Sequence, residues 1–182
     1  MDAMVTIRPN DQKFRELILY VAQRCEEDPN FGKTKLNKIL FYSDFLAYAH
    51  TGEPITGQEY MRIQHGPGSR KLKPTLVDME EKGDLKVRRE RKHDLHQERV
   101  VALRQPDREL FSDQHLKIVD QVIQSLWGRT NSEVSLISHA NIGWKLARHK
   151  ETIPYETVFL SDRPLTEAEL EYGRKLAVEL GL

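Results

Sequence analysis

Cysteine is almost missing from this chain. The single one, Cys25, among 182 residues leaves no internal disulfide to staple the fold. It falls on a helical stripe with Phe14, Leu17, Ile18, Val21 and Ala22, the setting of a buried, inert thiol. Long apolar runs are missing too: none approaches the roughly 18 residues that read as a membrane span. The opening MDAMVTIRPNDQ lacks the charged and apolar parts of a secretory leader, so cytoplasmic residence is expected. Net charge is also absent, with 28 Lys and Arg against 28 Asp and Glu. A balanced chain gives no general sign of affinity for nucleic acid or membranes. There is no internal repeat and no low-complexity tract. The length suits one domain with a sizeable core.

Constellations that carry chemistry are equally sparse. His93 and His96 sit near a hairpin tip, but zinc needs more ligands than two, so a solvated loop is expected. His65, beside Gly66 and Pro67, has no Ser or Cys nucleophile pattern and no paired carboxylates around it. His139 is expected to donate to a backbone carbonyl and hold a loop. The string Gly32-Lys33-Thr34 imitates the end of a phosphate-binding loop. Position 27 is Glu27 where that loop needs glycine, and the preceding segment reads as helix, not strand. The expectation is a protein with no metal, no cofactor and no enzymatic activity.

What is present is a dense helix over residues 35–48, KLNKILFYSDFLAY. At about 100° per residue, Leu36, Ile39, Leu40, Ser43, Leu46, Ala47 and His50 share a stripe. Phe41, Phe45 and Tyr48 cover its flank. A helix apolar on most sides is touched by several neighbours, so this one is expected at the centre, ending at a left-handed Gly52. Asn37 and Asp44 point nearly the same way and need partners. The expectation is a structural network joining them to the segment of His139 or Trp144. Lys33, Lys35 and Lys38 read as a solvated first turn.

Around this helix the chain divides readily. A first helix carries Phe14 to Cys25, capped by Asn10 or Asp11. Thr56-Gly57-Gln58-Glu59 matches a capping box and predicts a short helix. Residues 65–68 force a turn. Leu72, Leu76 and Met79 predict a helix in which Pro74 marks either a kink or a first-turn position. Residues 85–91 and 98–104 predict a β-hairpin turning through 92–97. Further helices are expected after Ser112 or Asp113, after Thr130 and after Thr166, with Trp144 and Tyr155 as loop anchors. The fold class is mainly α (α+β): one domain over 1–182, with a helical core over about 14–160, a single inserted β-hairpin and a C-terminal helix over about 166–181.

Several strings now stand in order: KLNKILFYSDF at 35–45, ITGQEY at 55–60, HGP at 65–67, SLISH at 135–139, then Trp144 and IPYE at 153–156. Together they resemble the SocA-like Panacea antitoxin domain over roughly residues 14–160. Pro74 departs from the pattern. The resemblance implies an antitoxin, found beside toxin genes in bacteria and phages, that neutralises its cognate toxin by direct binding. At least one kind delivers its toxin to a protease. The family motif carries over to Lys35, Leu36, Asn37, Lys38 and Asp44, to Gly66 and Pro67, to Ser138 and His139, and to Trp144 and Pro154. These are candidate toxin contacts or supports of the fold.

The rival reading is a winged-helix-like DNA-binding regulator. A helix followed by a basic hairpin has the right order, with Arg70, Lys71 and Lys73 placed to meet phosphates and Arg88, Arg89 and Arg91 to enter a minor groove. Zero net charge and the lack of a clear helix-turn-helix speak against it, and a charge-protected sheet edge accounts for the arginines. One expectation is testable at once. A chelator should leave the melting curve of the purified protein unchanged; stoichiometric zinc together with chelator-induced unfolding would refute it.

Overall fold

The computed structural model describes residues 7–92 and 95–181. In chain order it runs α1 (Asp11–Arg24), α2 (Lys33–Thr51), β1 (Tyr60–Ile63), β2 (Gly66–Ser69), α3 (Leu72–Glu81), β3 (Leu85–Lys92), β4 (Leu95–Ala102), α4 (Asp113–Leu126), α5 (Asn131–His139), α6 (Ile142–Leu146) and α7 (Glu167–Leu180). Short 3-10 turns cover Arg108–Leu110 and Tyr155–Phe159. The mainly helical α+β class is borne out.

The helix starts follow local chemistry. Asn10 Oδ1 accepts from Lys13 N at 2.9 Å. Thr130 with Glu133 and Thr166 with Glu169 form reciprocal capping boxes, so two orphan donors are satisfied at each start. Ser112 opens α4 in the same manner with His115 in the return position. Pro74 lies in the first turn of α3. The first backbone bond of that helix runs from Thr75 N to Lys71 O at 3.0 Å, so the proline falls where no N–H is needed and no kink follows.

Helix α2 is central, packed by α1, α4, α5, β2, β4 and the turn at Tyr155–Phe159. Leu36, Ile39, Leu40, Phe41 and Ala47 are wholly buried. Gly52 ends it at φ 77°, as expected. Two stripe positions depart from expectation: Leu46 and His50 are exposed. Leu46 instead lines an open concavity of about 590 Å³ between α2, α4 and α5, with Tyr42, Val122, Leu126 and Ile137. Cys25 is buried, and burial pushes its thiol up to about 12.

Three further expectations change. No helix forms at 56–59; the chain runs extended into a second hairpin, β1–β2, paired from Tyr60↔Ser69 to Ile63↔Gly66. The capping-box residues fail because the Thr56 hydroxyl donates to a buried carboxylate. The hairpin β3–β4 is longer toward its tip than expected: Glu90 pairs with Gln97, Arg91 with His96 and Lys92 with Leu95. His96 therefore lies in a strand, while His93 and Asp94 lie outside the described residues. Trp144 sits in a short helix, α6, started by Asn141 Oδ1 accepting from Trp144 N at 2.9 Å. No helix among the described residues is long and apolar enough to cross a membrane.

The two leucines of α2 give a paired test. Leu40→Asp buries an unpaired charge, which costs several kcal/mol against a typical stability of about 5–15 kcal/mol. It should abolish the cooperative urea transition, whereas Leu46→Asp should fold with a similar midpoint. Equal behaviour of the two would refute this placement of the core.

Candidate functional site

Three polar side chains of α2, Asn37, Lys38 and Asp44, bind one neighbour, the hairpin β1–β2 and the chain leading into it. Asp44 is fully buried and accepts from Thr56 N at 2.6 Å, Thr56 Oγ1 at 2.5 Å and Tyr60 OH at 2.7 Å. Burial pushes its carboxyl up, and those donors only partly offset the push. One turn and a half earlier, Lys38 Nζ donates to Pro67 O at 2.7 Å. Lys38 is 1% exposed, and burial lowers its pKa to about 7. Asn37 Oδ1 accepts from Ser69 N at 3.0 Å. Asp44 thus holds the way into the hairpin, while Lys38 and Asn37 hold its return strand.

Small residues make this approach possible. Gly66 has φ 98°, and a Cβ there would collide with Ser138 Oγ and Lys38 Nζ. Ser138 is fully buried on α5 and donates to Ser135 O at 2.8 Å. Gly66, Pro67, Lys38 and Ser138 therefore meet at one packed point where α2, α5 and β2 converge.

The opposite side of the hairpin is held by the chain after α5. Trp144 Nε1 donates to Ile63 O at 3.1 Å. The His139 ring stacks on the Trp144 indole with centroids 4.3 Å apart and planes 13° apart. The Arg62 guanidinium lies 4.4 Å from the same indole. The indole thus packs against both groups. Arg62 Nη1 also donates to Ala147 O at 2.8 Å. Beyond α6, Lys150 N donates to Arg62 O at 2.8 Å, Arg62 N to Glu151 O at 3.0 Å and Ile153 N to Tyr60 O at 2.7 Å, so this segment lines the free edge of β1. Pro154 follows and starts the turn Tyr155–Phe159, where Tyr155 OH donates to Gln58 O at 2.6 Å.

Several expectations are corrected here. Asn37 and Asp44 do not bind the His139 or Trp144 segment; both segments grip the same hairpin from different sides. His139 stacks on Trp144, and its Nε2 is buried without a hydrogen-bond partner. The lysines are not a solvated turn. Lys35 is fully buried and pairs with Asp28 at 2.6 Å, Lys38 is buried as described, and Lys33 pairs with Glu98. They point inward because the loop before α2 and the hairpin β3–β4 wrap its start. Arg99 of β4 supports that loop by donating to the carbonyls of Glu26, Asp28 and Phe31. Arg62, Asp28 and Arg99 had no distinguishing signal in the sequence; Thr56 and Tyr60 had one only within ITGQEY.

The residues of the rival reading are dispersed. Arg88, Arg89 and Arg91 are exposed on β3 and Lys71 is exposed before α3. Arg70 Nη2 donates to Lys150 O at 2.8 Å, so it is committed to the β1 side. His65 is exposed at the tip of β1–β2. Among the described residues, no three His, Cys, Asp or Glu side chains converge as metal ligands.

The family model described as antitoxin SocA-like, Panacea domain, matches residues 36–145, more than half of the chain. The chain belongs to this family. The match reaches from the start of α2 to α6, so it spans the hairpin, Asn37, Lys38 and Asp44 on one side and His139 and Trp144 on the other, but not the segment after α6. Lys35 and Pro154 fall just outside. No curated protein and no solved structure matches the chain.

Lys38 gives the Panacea fold a pH signature. Unfolded, it titrates near 10.5; folded, near 7. Between those values the unfolded chain binds more protons, so stability rises with pH, by up to about 1.4 kcal/mol per pH unit. Below about 7 this contribution is flat. Urea midpoints of the wild type should therefore gain on those of Lys38→Met between pH 7 and pH 9. A difference independent of pH would refute the buried, neutral amine.

Proposed function

We propose that this Panacea domain is an antitoxin that neutralises a cognate toxin, encoded beside it, by forming a direct protein–protein complex. The observation that carries the reading is the family match over residues 36–145. The geometry of α2 supports it in one respect. Asp44, Lys38, Lys35 and Asn37 are occupied with the protein's own backbone and side chains, so they organise a scaffold whose outer surface meets the partner. A protein acting in this way is not an enzyme, and inhibition scales with occupancy of the complex. Delivery of the bound toxin to a protease is a finer form of the same action.

The test is co-expression of this chain and the neighbouring gene from separate promoters. The neighbour alone should arrest growth, this chain should relieve the arrest, and a pull-down should recover both proteins. A fall in toxin level on co-expression that requires a host protease would support the adaptor form. The exposed arginines of β3, placed directly after α3, keep one rival specific. If no neighbour is toxic and no protein is retained, while a promoter fragment binds tightly and Arg88→Glu with Arg89→Glu abolishes that binding, a DNA-binding regulator replaces the antitoxin.

A further inference from the structure

The neutral total conceals an uneven distribution. Residues 60–71 contain Arg62, Arg70 and Lys71 and no acidic residue. Residues 144–151 contain Lys145, Arg148 and Lys150 against Glu151 alone. These two short stretches hold six of the 28 basic residues and one of the 28 acidic ones, leaving the rest of the chain with 22 against 27.

The fold brings the two stretches together. The backbone bonds between Arg62 and both Lys150 and Glu151, and the bond from the Arg70 guanidinium to Lys150 O, lay the segment after α6 along β1. Arg62, Ile63, Gln64, Trp144, Arg148 and His149 line a shallow concavity of about 570 Å³ between them. Arg148, His149 and Lys150 are exposed at its side. Lys150 adds a conformational sign: it is the only non-glycine among the described residues with a positive φ, at 66°. Glycine takes that conformation freely and lysine does not. The position therefore keeps a charged side chain against the local backbone preference.

We propose that this basic face, built from β1–β2 and the segment from α6 to Glu151, is the docking surface for an acidic protein surface. The proposal rests on the antitoxin reading and names the chemistry of the toxin surface it binds. Arginine and lysine at the rim of a concavity favour carboxylates, through charge-assisted hydrogen bonds and steered association. A nucleic-acid strand fits less well. Single-strand binders use open aromatic faces on which bases stack, whereas Trp144 already stacks on His139 and meets the Arg62 guanidinium. Duplex binders set their basic patch on a strongly basic domain, whereas this chain has no net charge and, outside the two stretches, an acidic excess.

The experiment measures binding between the full chain and the product of the neighbouring gene, purified from the rescued co-expression strain. Arg148→Glu with His149→Glu should weaken the complex about tenfold or more, mainly through slower association, and the wild-type affinity should fall as ionic strength rises. Lys150→Gly should keep or raise the melting temperature, since it relaxes the backbone, and yet weaken binding. Arg88→Glu with Arg89→Glu, on the other hairpin, should bind as the wild type does. In the complex, amide exchange should slow over residues 60–71 and 142–151. If wild type and the Arg148, His149 and Lys150 variants rescue and bind equally, the docking face is wrong and the antitoxin reading stands. If the wild type neither rescues nor binds, both fall. Tighter binding of a duplex or single-stranded oligonucleotide than of the toxin, lost in the same variants, would overturn the acidic-protein partner.

Discussion

A helix enclosed on nearly every side can keep a polar residue only where a neighbour answers it. That constraint governs α2. Asp44, Lys38 and Asn37 each fix a particular piece of backbone and Lys35 a carboxylate, whereas the buried Ser43 hydroxyl has no hydrogen-bond partner. Asp44 arrests the chain on its way out of the loop after Gly52, Lys38 and Asn37 catch it on its return, and Lys35 closes on Asp28 from the loop before. The return strand of the short hairpin, β2, reads Gly-Pro-Gly-Ser and has little intrinsic strand preference. The hairpin owes its shape to these anchors and to the indole, imidazole and guanidinium stack behind it. The Panacea match spans the anchors Asn37, Lys38 and Asp44 and the hairpin they hold.

The two hairpins show two ways of using basic residues in a neutral chain. On β3–β4, Arg99 turns inward onto three carbonyls and Lys33 meets Glu98, so part of the charge ties the hairpin to the loop before α2. On β1–β2, Arg62 is half committed, with its guanidinium shared between Trp144 and Ala147 O, while its neighbours across the edge remain at the surface. Position in the fold, rather than residue type, separates a structural cation from one available to a partner.

Much of this was legible from residue order alone, and the failures have physical causes. Helix starts at Asn10, Ser112, Thr130 and Thr166 and the stop at Gly52 were readable because caps act within one turn. The centrality of α2 followed from its apolar circumference. The short helix at 56–59 was misread because its capping hydroxyl has a stronger, distant acceptor in Asp44, which no local pattern reveals. The hairpin at 60–69 was missed because tertiary contacts, not strand-formers, make it. The lysines were misread for a related reason: charge at a helix start normally faces water, and only the arrival of β4, β2 and the 26–31 loop buries Lys35 and Lys38. Several residues of the family strings meet around the hairpin β1–β2, and their inward direction could not be seen without the fold.

The clamp on β1–β2 also sets an order of events in time. Ile63 O is met by Trp144, 81 positions later, and Gln58 O by Tyr155, 97 positions later. Closing loops of that length is entropically slow to be repaid, and contacts of such separation form late. During synthesis the inner anchors on α2 have emerged long before the outer ones. The hairpin therefore leaves the ribosome with one side gripped and the other bare. Until residues 138–155 arrive, Ile63 O and Gln58 O lack the partners that close this edge.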